Sequence, residues 1–308
     1  MIKTILLLAV SFLFLSLFAV KSYALPYSTK ECFDHISAQS FKTARTWGIR
    51  AVNDRPNSFY AHLCLGETDQ YLGLYKPALY DFKQAIPLAN DKNRLMLVYN
   101  WIGSVFDSVG NKKDALMYDF RSLKLARQLN NISLESEDIN NIAGIYFNEG
   151  KYQKALRYEK KSLLLRTTKK GKAGSYNNIA MVYSNMNNYP EAVRYEIKAL
   201  NLDENIGNYY RTANDYLNLG SLYTYAKNYV KAKRYILKGI LMEKKIGNKD
   251  WIGIGYKYLG RLYRNEGHNK KALSYYQKAY NMFKISGDSS LAQDCLFMIS
   301  KIKNETKK

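Results

Sequence analysis

The sequence predicts an all-α fold of about seven stacked helix pairs closed by a C-terminal capping helix, and three periodic features predict it. One alanine recurs at Ala44, Ala78, Ala115, Ala155, Ala192, Ala232 and Ala272, at spacings of 34 to 40 residues. A compact residue stands twelve positions before each of them (Cys32, Gly66, Gly103, Ala143, Ala180, Gly220, Gly260) and another seven positions after (Ala51, Ala85, Ser122, Ser162, Ala199, Gly239, Ala279). In the later copies aromatic rings fill the slot nine before the alanine, at Phe106, Tyr146, Tyr183, Tyr223 and Tyr263, and the slot three after it, at Tyr118, Tyr158, Tyr195, Tyr235 and Tyr275. Each copy reads as two antiparallel helices: compact residues let the helices approach, and large rings fill the remaining space. One pair cannot bury both faces, so the copies must stack.

Ahead of the repeats, Met1-Ile2-Lys3 is a short basic start, Thr4 to Val20 carries no charge, and Lys21-Ser22-Tyr23-Ala24 ends in small residues. Residues 1–24 read as a secretory signal cleaved after Ala24, which predicts an exported chain, periplasmic or secreted. The 17 apolar residues also reach the lower edge of a membrane-spanning length, so an uncleaved anchor is the alternative.

The repeats are expected near 25–58, 59–95, 96–135, 136–172, 173–212, 213–252 and 253–288. The first copy has Pro26 and Ser28 in its first helix and is read as an N-terminal cap. Turns between paired helices are expected at Gly110-Asn111, Gly150-Lys151, Asn187-Asn188 and Gly267-His268. Second helices are expected to stop at Gly171, Gly207, Gly247 and Gly287, each supplying the left-handed residue after a helix end. Ser290 to Lys301 has the spacing of one more first helix, with Leu296, Ile299 and Ser300 in register, so 289–308 is read as the capping helix and a basic tail.

Composition narrows the function. The net charge is +21, falling to +19 when Lys3 and Lys21 leave with the signal, yet 47% of residues are hydrophobic and 14% aromatic, which excludes a disordered polycation. The 28 tyrosines are largely absorbed by the repeat. Three histidines and three cysteines, all far apart, do not suggest a zinc site or a Cys/His nucleophile pair. No cofactor, metal or enzymatic activity is expected. Glu67 with Asp69 reads as groove polarity. Cys32 and Cys64 fall in the first helices of successive copies, 32 residues apart where the repeat is 34, so they are expected to face each other, either as a disulfide or as two buried small residues.

The pattern resembles the tetratricopeptide repeat over residues 25 to 288. Ser40 to Pro56 matches that family's second helix and terminal proline. The other copies lack the proline and are lengthened to 37 or 40 residues, like those of kinesin light chains and bacterial peptide-sensing regulators. The resemblance implies a right-handed superhelical solenoid whose first helices line a concave groove, acting as a protein-interaction scaffold for an extended peptide or partner segment. Asn140-Asn141 and Asn177-Asn178, with Asn100 and Asn218, look like the asparagine ladder with which such solenoids hold peptide backbone. Asparagine is neutral to unfavourable in helices and its amide suits a peptide bond. The alternative is that these amides bond to one another or to adjacent helices. Neighbouring Phe147, Met181 and Tyr225 would then supply side-chain selectivity.

Lys257, Arg261 and Arg264 have the i, i+4, i+7 spacing of one helical face, concave by register, and read as a site for an acidic ligand or as a solvated basic face. The remaining positive charge, such as Lys151, Lys154, Arg157, Lys160 and Lys161, is expected on second helices as solvated surface. Export argues against nucleic acid as its partner, leaving weak attraction to an anionic envelope surface. The function expected is an exported, non-enzymatic interaction scaffold; the competing one is a ligand-responsive sensor or regulatory module of the cell envelope.

Overall fold

The computed structural model describes residues 25–305; the signal expected at 1–24 and the end of the basic tail, 306–308, lie outside the described residues. Fifteen α-helices follow one another, with no strand among the described residues. They are α1 (Tyr27–Ser37), α2 (Phe41–Asp54), α3 (Phe59–Tyr71), α4 (Tyr75–Leu88), α5 (Lys92–Ser108), α6 (Lys112–Gln128), α7 (Ile132–Asn148), α8 (Tyr152–Leu165), α9 (Lys169–Asn185), α10 (Tyr189–Asn205), α11 (Tyr209–Tyr225), α12 (Tyr229–Ile246), α13 (Lys249–Asn265), α14 (Asn269–Ser286) and α15 (Ser289–Glu305). The chain divides between Glu149 and Gly150 into two compact units. The first holds three helix hairpins and α7; the second holds α8, three hairpins and α15.

Helix starts follow from capping. Asp91, Asn131, Thr168, Asn208 and Asn248 each accept a hydrogen bond from the backbone N–H three residues on, at 2.9 to 3.3 Å, satisfying a donor that has no partner within the helix. The expected boundaries at 95/96, 135/136, 172/173, 212/213 and 252/253 therefore fall inside α5, α7, α9, α11 and α13, because each cap starts its helix about four residues earlier. Thr168 also corrects the role of Gly171: this glycine donates its N–H to the cap inside the first turn of α9, and α8 ends at Leu165. Pro26 is likewise the N-cap of α1 rather than a residue within it. Gly247 and Gly287 do occupy left-handed conformations, φ +81° and +85°, directly after α12 and α14.

The seven register alanines are all buried. Opposite them, a Cβ on Gly220 would stand 2.9 Å from the Ile236 nitrogen and 3.1 Å from the Ala232 carbonyl, so α11 and α12 touch almost backbone to backbone. The aromatic slots lie at the rim of this contact and form repeated triplets. Tyr118 of α6 sits between Phe106 (5.7 Å, stacked) and Tyr99 (5.7 Å). Tyr195, Tyr235 and Tyr275 repeat the arrangement with Tyr183 and Tyr176, Tyr223 and Tyr216, and Tyr263 and Tyr256. Basic side chains stand over these rings, among them Arg121 over Tyr118, Lys198 over Tyr195 and Lys278 over Tyr275, at 5.0 to 5.3 Å. In the first unit a disulfide joins Cys32 of α1 to Cys64 of α3, with Cα atoms 6.3 Å apart.

Two outcomes are expected. Gly220→Ala should lower unfolding free energy by about 1–3 kcal/mol through overpacking, measured by urea denaturation. Cys32→Ala with Cys64→Ala should lower stability by about 2–4 kcal/mol, because the bond closes a loop of some 30 residues in the unfolded chain; calorimetry of the two proteins compares them.

Candidate functional site

The first helices supply the face on which a ligand was expected, and its asparagines have internal partners. Asn100 of α5, 3% exposed, donates through Nδ2 to Asp138 Oδ1 of α7 at 2.8 Å. Asn177 of α9 donates in the same way to Asp215 of α11 at 2.9 Å, and both bonds span 38 residues. Asn178 of α9 is hydrogen-bonded to Glu159 of α8, and Asn218 of α11 to Glu196 of α10. Asn140 and Asn141 are half-buried on α7, as are Phe147 and Met181 on α7 and α9. Four of the six predicted ladder amides therefore tie each copy to the next or to the preceding second helix.

Their acceptors are buried carboxyl groups that sequence reasoning passed over. Asp138, Glu159, Glu196 and Asp215 are at most 4% exposed, and each keeps one carboxyl oxygen buried without a partner. Burial disfavours the charged form: it pushes Asp138, Glu159 and Asp215 up to about 8, and Glu196 well above the carboxylate range. A proton on the unpartnered oxygen leaves the other free to accept from asparagine. Asp215 is also hydrogen-bonded to Asp203, whose own oxygen accepts from Arg211 Nε at 3.0 Å. A signal for these groups existed in the register: Asp119, Glu159 and Glu196 all stand four residues after the recurring alanine. Glu67 and Asp69 are buried as well, 5% and 1% exposed, which corrects their reading as groove polarity; Asp69 pairs with Arg45.

His62 belongs with this polar interior. Its two ring nitrogens face the Asp81 carboxylate and the Pro56 carbonyl, both at 2.8 Å, so both must carry protons, and the Asp81 hydrogen bond raises its pKa. Among the described residues no group of three or more His, Cys, Asp or Glu is placed to hold a metal ion, and no helix is long and apolar enough to cross a membrane.

The basic stripe of α13 is shared out unequally. Lys257 pairs with Asp294 of α15 at 3.1 Å, and Arg264 pairs with Glu305 at the other end of that helix at 2.9 Å. Arg261 between them has no carboxylate partner among the described residues. It donates to the Tyr225 hydroxyl at 2.7 Å, and its guanidinium lies over the Tyr225 and Tyr258 rings at 5.3 and 5.6 Å. Tyr189 stacks on the other side of Tyr225, centroids 5.5 Å apart and planes within 7°. Tyr225 is 41% exposed, so the cluster opens to solvent.

Tetratricopeptide-repeat family models match residues 134–205, 171–240 and 259–284. No curated protein matches the chain. Several solved structures are similar in fold. A signal-transduction ATPase with a tetratricopeptide-repeat sensor from Pyrococcus horikoshii is 18% identical, with TM-score 0.72, over 90% of this chain and 43% of that one. The apo form of RapI is 18% identical, TM-score 0.64, over 81% and 98%. A Rap protein complexed with Competence and Sporulation Factor is 15% identical, TM-score 0.60, over 91% and 85%. At these identities the likeness shows the fold.

The buried groups determine a pH dependence. Their folded pKa values lie above the unfolded ones, so the stability they confer is complete below the unfolded carboxylate range and is lost as pH rises through about 8. His62 acts in the same direction. The melting temperature should therefore rise between pH 9 and pH 6. Asp138→Asn and Glu159→Gln, which retain an acceptor but cannot ionise, should each flatten that rise in scanning calorimetry.

Proposed function

We propose that this tetratricopeptide-repeat chain is an exported, non-enzymatic scaffold that holds an extended acidic segment of a partner protein on the first-helix face of its second unit, anchored by Arg261. The observation that carries the reading is the inequality along α13: two of three cations are neutralised by α15, and the third is held between tyrosine rings, half-buried and without a carboxylate. Buried or half-buried guanidinium groups favour planar, bidentate carboxylate partners. Tyr225, Tyr258 and Tyr189 hold the guanidinium in place before a ligand arrives, which reduces the entropy lost on binding. The likeness in fold to a Rap protein complexed with a signalling factor supports a peptide-holding role for such a repeat array.

Export is supported by the basic, apolar and small-residue order of Met1 to Ala24 and by the Cys32–Cys64 disulfide, since such bonds persist in oxidising compartments. A periplasmic or secreted location follows from the same two features. The asparagines contribute differently from a ladder aimed at ligand: by fixing neighbouring helices they hold the face rigid. Their replacement would leave carboxyl groups such as Glu159 without a donor, so loss of binding in such variants would not distinguish a ligand contact from lost stability.

Arg261→Glu avoids that ambiguity, because the residue it removes bonds only a partly exposed tyrosine hydroxyl. Binding of a fluorescein-labelled Glu-rich decapeptide, followed by polarisation, should weaken about ten-fold or more, while the melting temperature stays within about 2 °C. Equal affinity of the parent and the variant for that peptide would overturn Arg261 as the anchor.

A further inference from the structure

Helix α12 carries an aliphatic row on its solvent side. Val230, Leu237 and Leu241 are 84%, 45% and 58% exposed. At 100° per residue their directions fall within roughly 40° of one another. Counted from Ala232, they occupy the slots two before, five after and nine after the register alanine; the same slots hold Lys113, Phe120 and Lys124 in α6, and Lys270, Gln277 and Asn281 in α14. The repeat therefore does not need apolar side chains there, and burial within the fold does not reward these three.

The row is bordered by cations on both sides. Lys233 and Lys244 flank one edge by helical geometry, and Arg234, Lys245 and Lys238 the other. None of the five is ion-paired with a carboxylate among the described residues. Lys233, Lys238 and Lys244 instead stand over the Tyr263, Tyr216 and Tyr256 rings at 5.0 to 6.0 Å, which leaves their charge uncompensated. The helix's own acid, Glu243, is 1% exposed. One acid from outside the helix, Glu266, shares an open hollow of about 430 Å³ with Tyr229, Val230, Lys233, Arg234 and Leu237.

We propose that this face of α12 docks on the surface of an anionic phospholipid bilayer. Val230, Leu237 and Leu241 enter the boundary between headgroups and acyl chains, while the flanking lysines extend their stems beside them and place their ammonium groups at the phosphates. Charge complementarity and the aliphatic row are both required. A nucleic acid would engage the cations but offers no apolar layer to Val230 and Leu241; single strands reward aromatic rings, and duplexes reward phosphate contacts. The surface is independent of Arg261, and the two readings fail separately.

The test uses the full chain with Leu241→Cys carrying an environment-sensitive nitrobenzoxadiazole label; Cys295 is buried, with its thiol pushed up to about 11, and does not compete for it. Vesicles of phosphatidylcholine alone are compared with vesicles containing three-tenths phosphatidylglycerol. The anionic vesicles should blue-shift and brighten the label, the neutral ones should not, and 0.5 M salt should reverse the change. Lys233→Gln with Lys245→Gln should lower the partition coefficient on the order of 20-fold, taking about 1 kcal/mol per cation near the surface. Leu237→Ser should lower it several-fold without changing the circular dichroism spectrum. A label at 241 that stays in water while the chain sediments with vesicles would assign membrane contact to another segment and overturn the proposal. Duplex DNA binding that Leu237→Ser leaves intact, with no response to vesicles, would overturn it in favour of a nucleic acid.

Discussion

The closeness of paired helices at the compact register positions is the constraint on which the rest of the structure depends. At Gly220 the facing helix leaves no room for a methyl group, and Gly66, Gly103 and Gly260 meet Phe82, Asp119 and Tyr276 in the same slot. With the middle of each pair occupied by backbone, large rings can only pack at its rim, which is where the Tyr99–Tyr118–Phe106 triplet and its repeats lie. A ring at a rim presents a face or edge to solvent, and the long basic side chains of the second helices lie across it. The tyrosine surplus and the lysine surplus are thus one structural feature, because cation–π contact lets these charges sit on the surface without acidic partners.

Stacking successive pairs creates a second layer of contact, and here the chain uses polar groups. Asn100 with Asp138 and Asn177 with Asp215 bridge first helices of consecutive copies, while Asn178 and Asn218 reach back to Glu159 and Glu196 on second helices. Buried carboxyl groups in such positions resist ionisation, so a neutral acid and an amide make a hydrogen-bonded joint of modest net strength that is costly to break from one side only. These joints bind each unit across copies where apolar contact alone would tolerate sliding. They also couple its stability to pH in a direction opposite to that of a protein held by ionised carboxylates.

Charge on the second unit is distributed by what the last helix brings. α15 supplies Asp294 and Glu305, which quench the two ends of the α13 stripe and leave Arg261 as its single unpaired cation, seated on tyrosine. On the second-helix side no acid plays that part for α12, whose cations remain uncompensated around three exposed aliphatic residues. A large positive charge on the whole chain therefore reduces to two local features, a narrow one suited to a carboxylate and a broad one suited to a charged surface.

The sequence by itself determined the repeat: the alanine register, the compact slots opposite it and the aromatic slots beside it are spacings along one chain, and spacing is what helix periodicity converts into faces. It also placed Cys32 and Cys64 against each other, since equal register in adjacent copies puts residues side by side. Helix starts were misjudged by about four residues because the alanine register marks the middle of a pair, while the caps at Asn131, Asn208 and Asn248 mark its edge. What only the tertiary structure decided was the destination of polar side chains. An asparagine on a helix face offers the same donors to a ligand and to a neighbouring carboxyl group, and the choice depends on distances between copies, which periodicity does not contain. The same holds for Lys257, Arg261 and Arg264: identical in charge and evenly spaced along the chain, they became different only when α15 set its two acids against the first and the last.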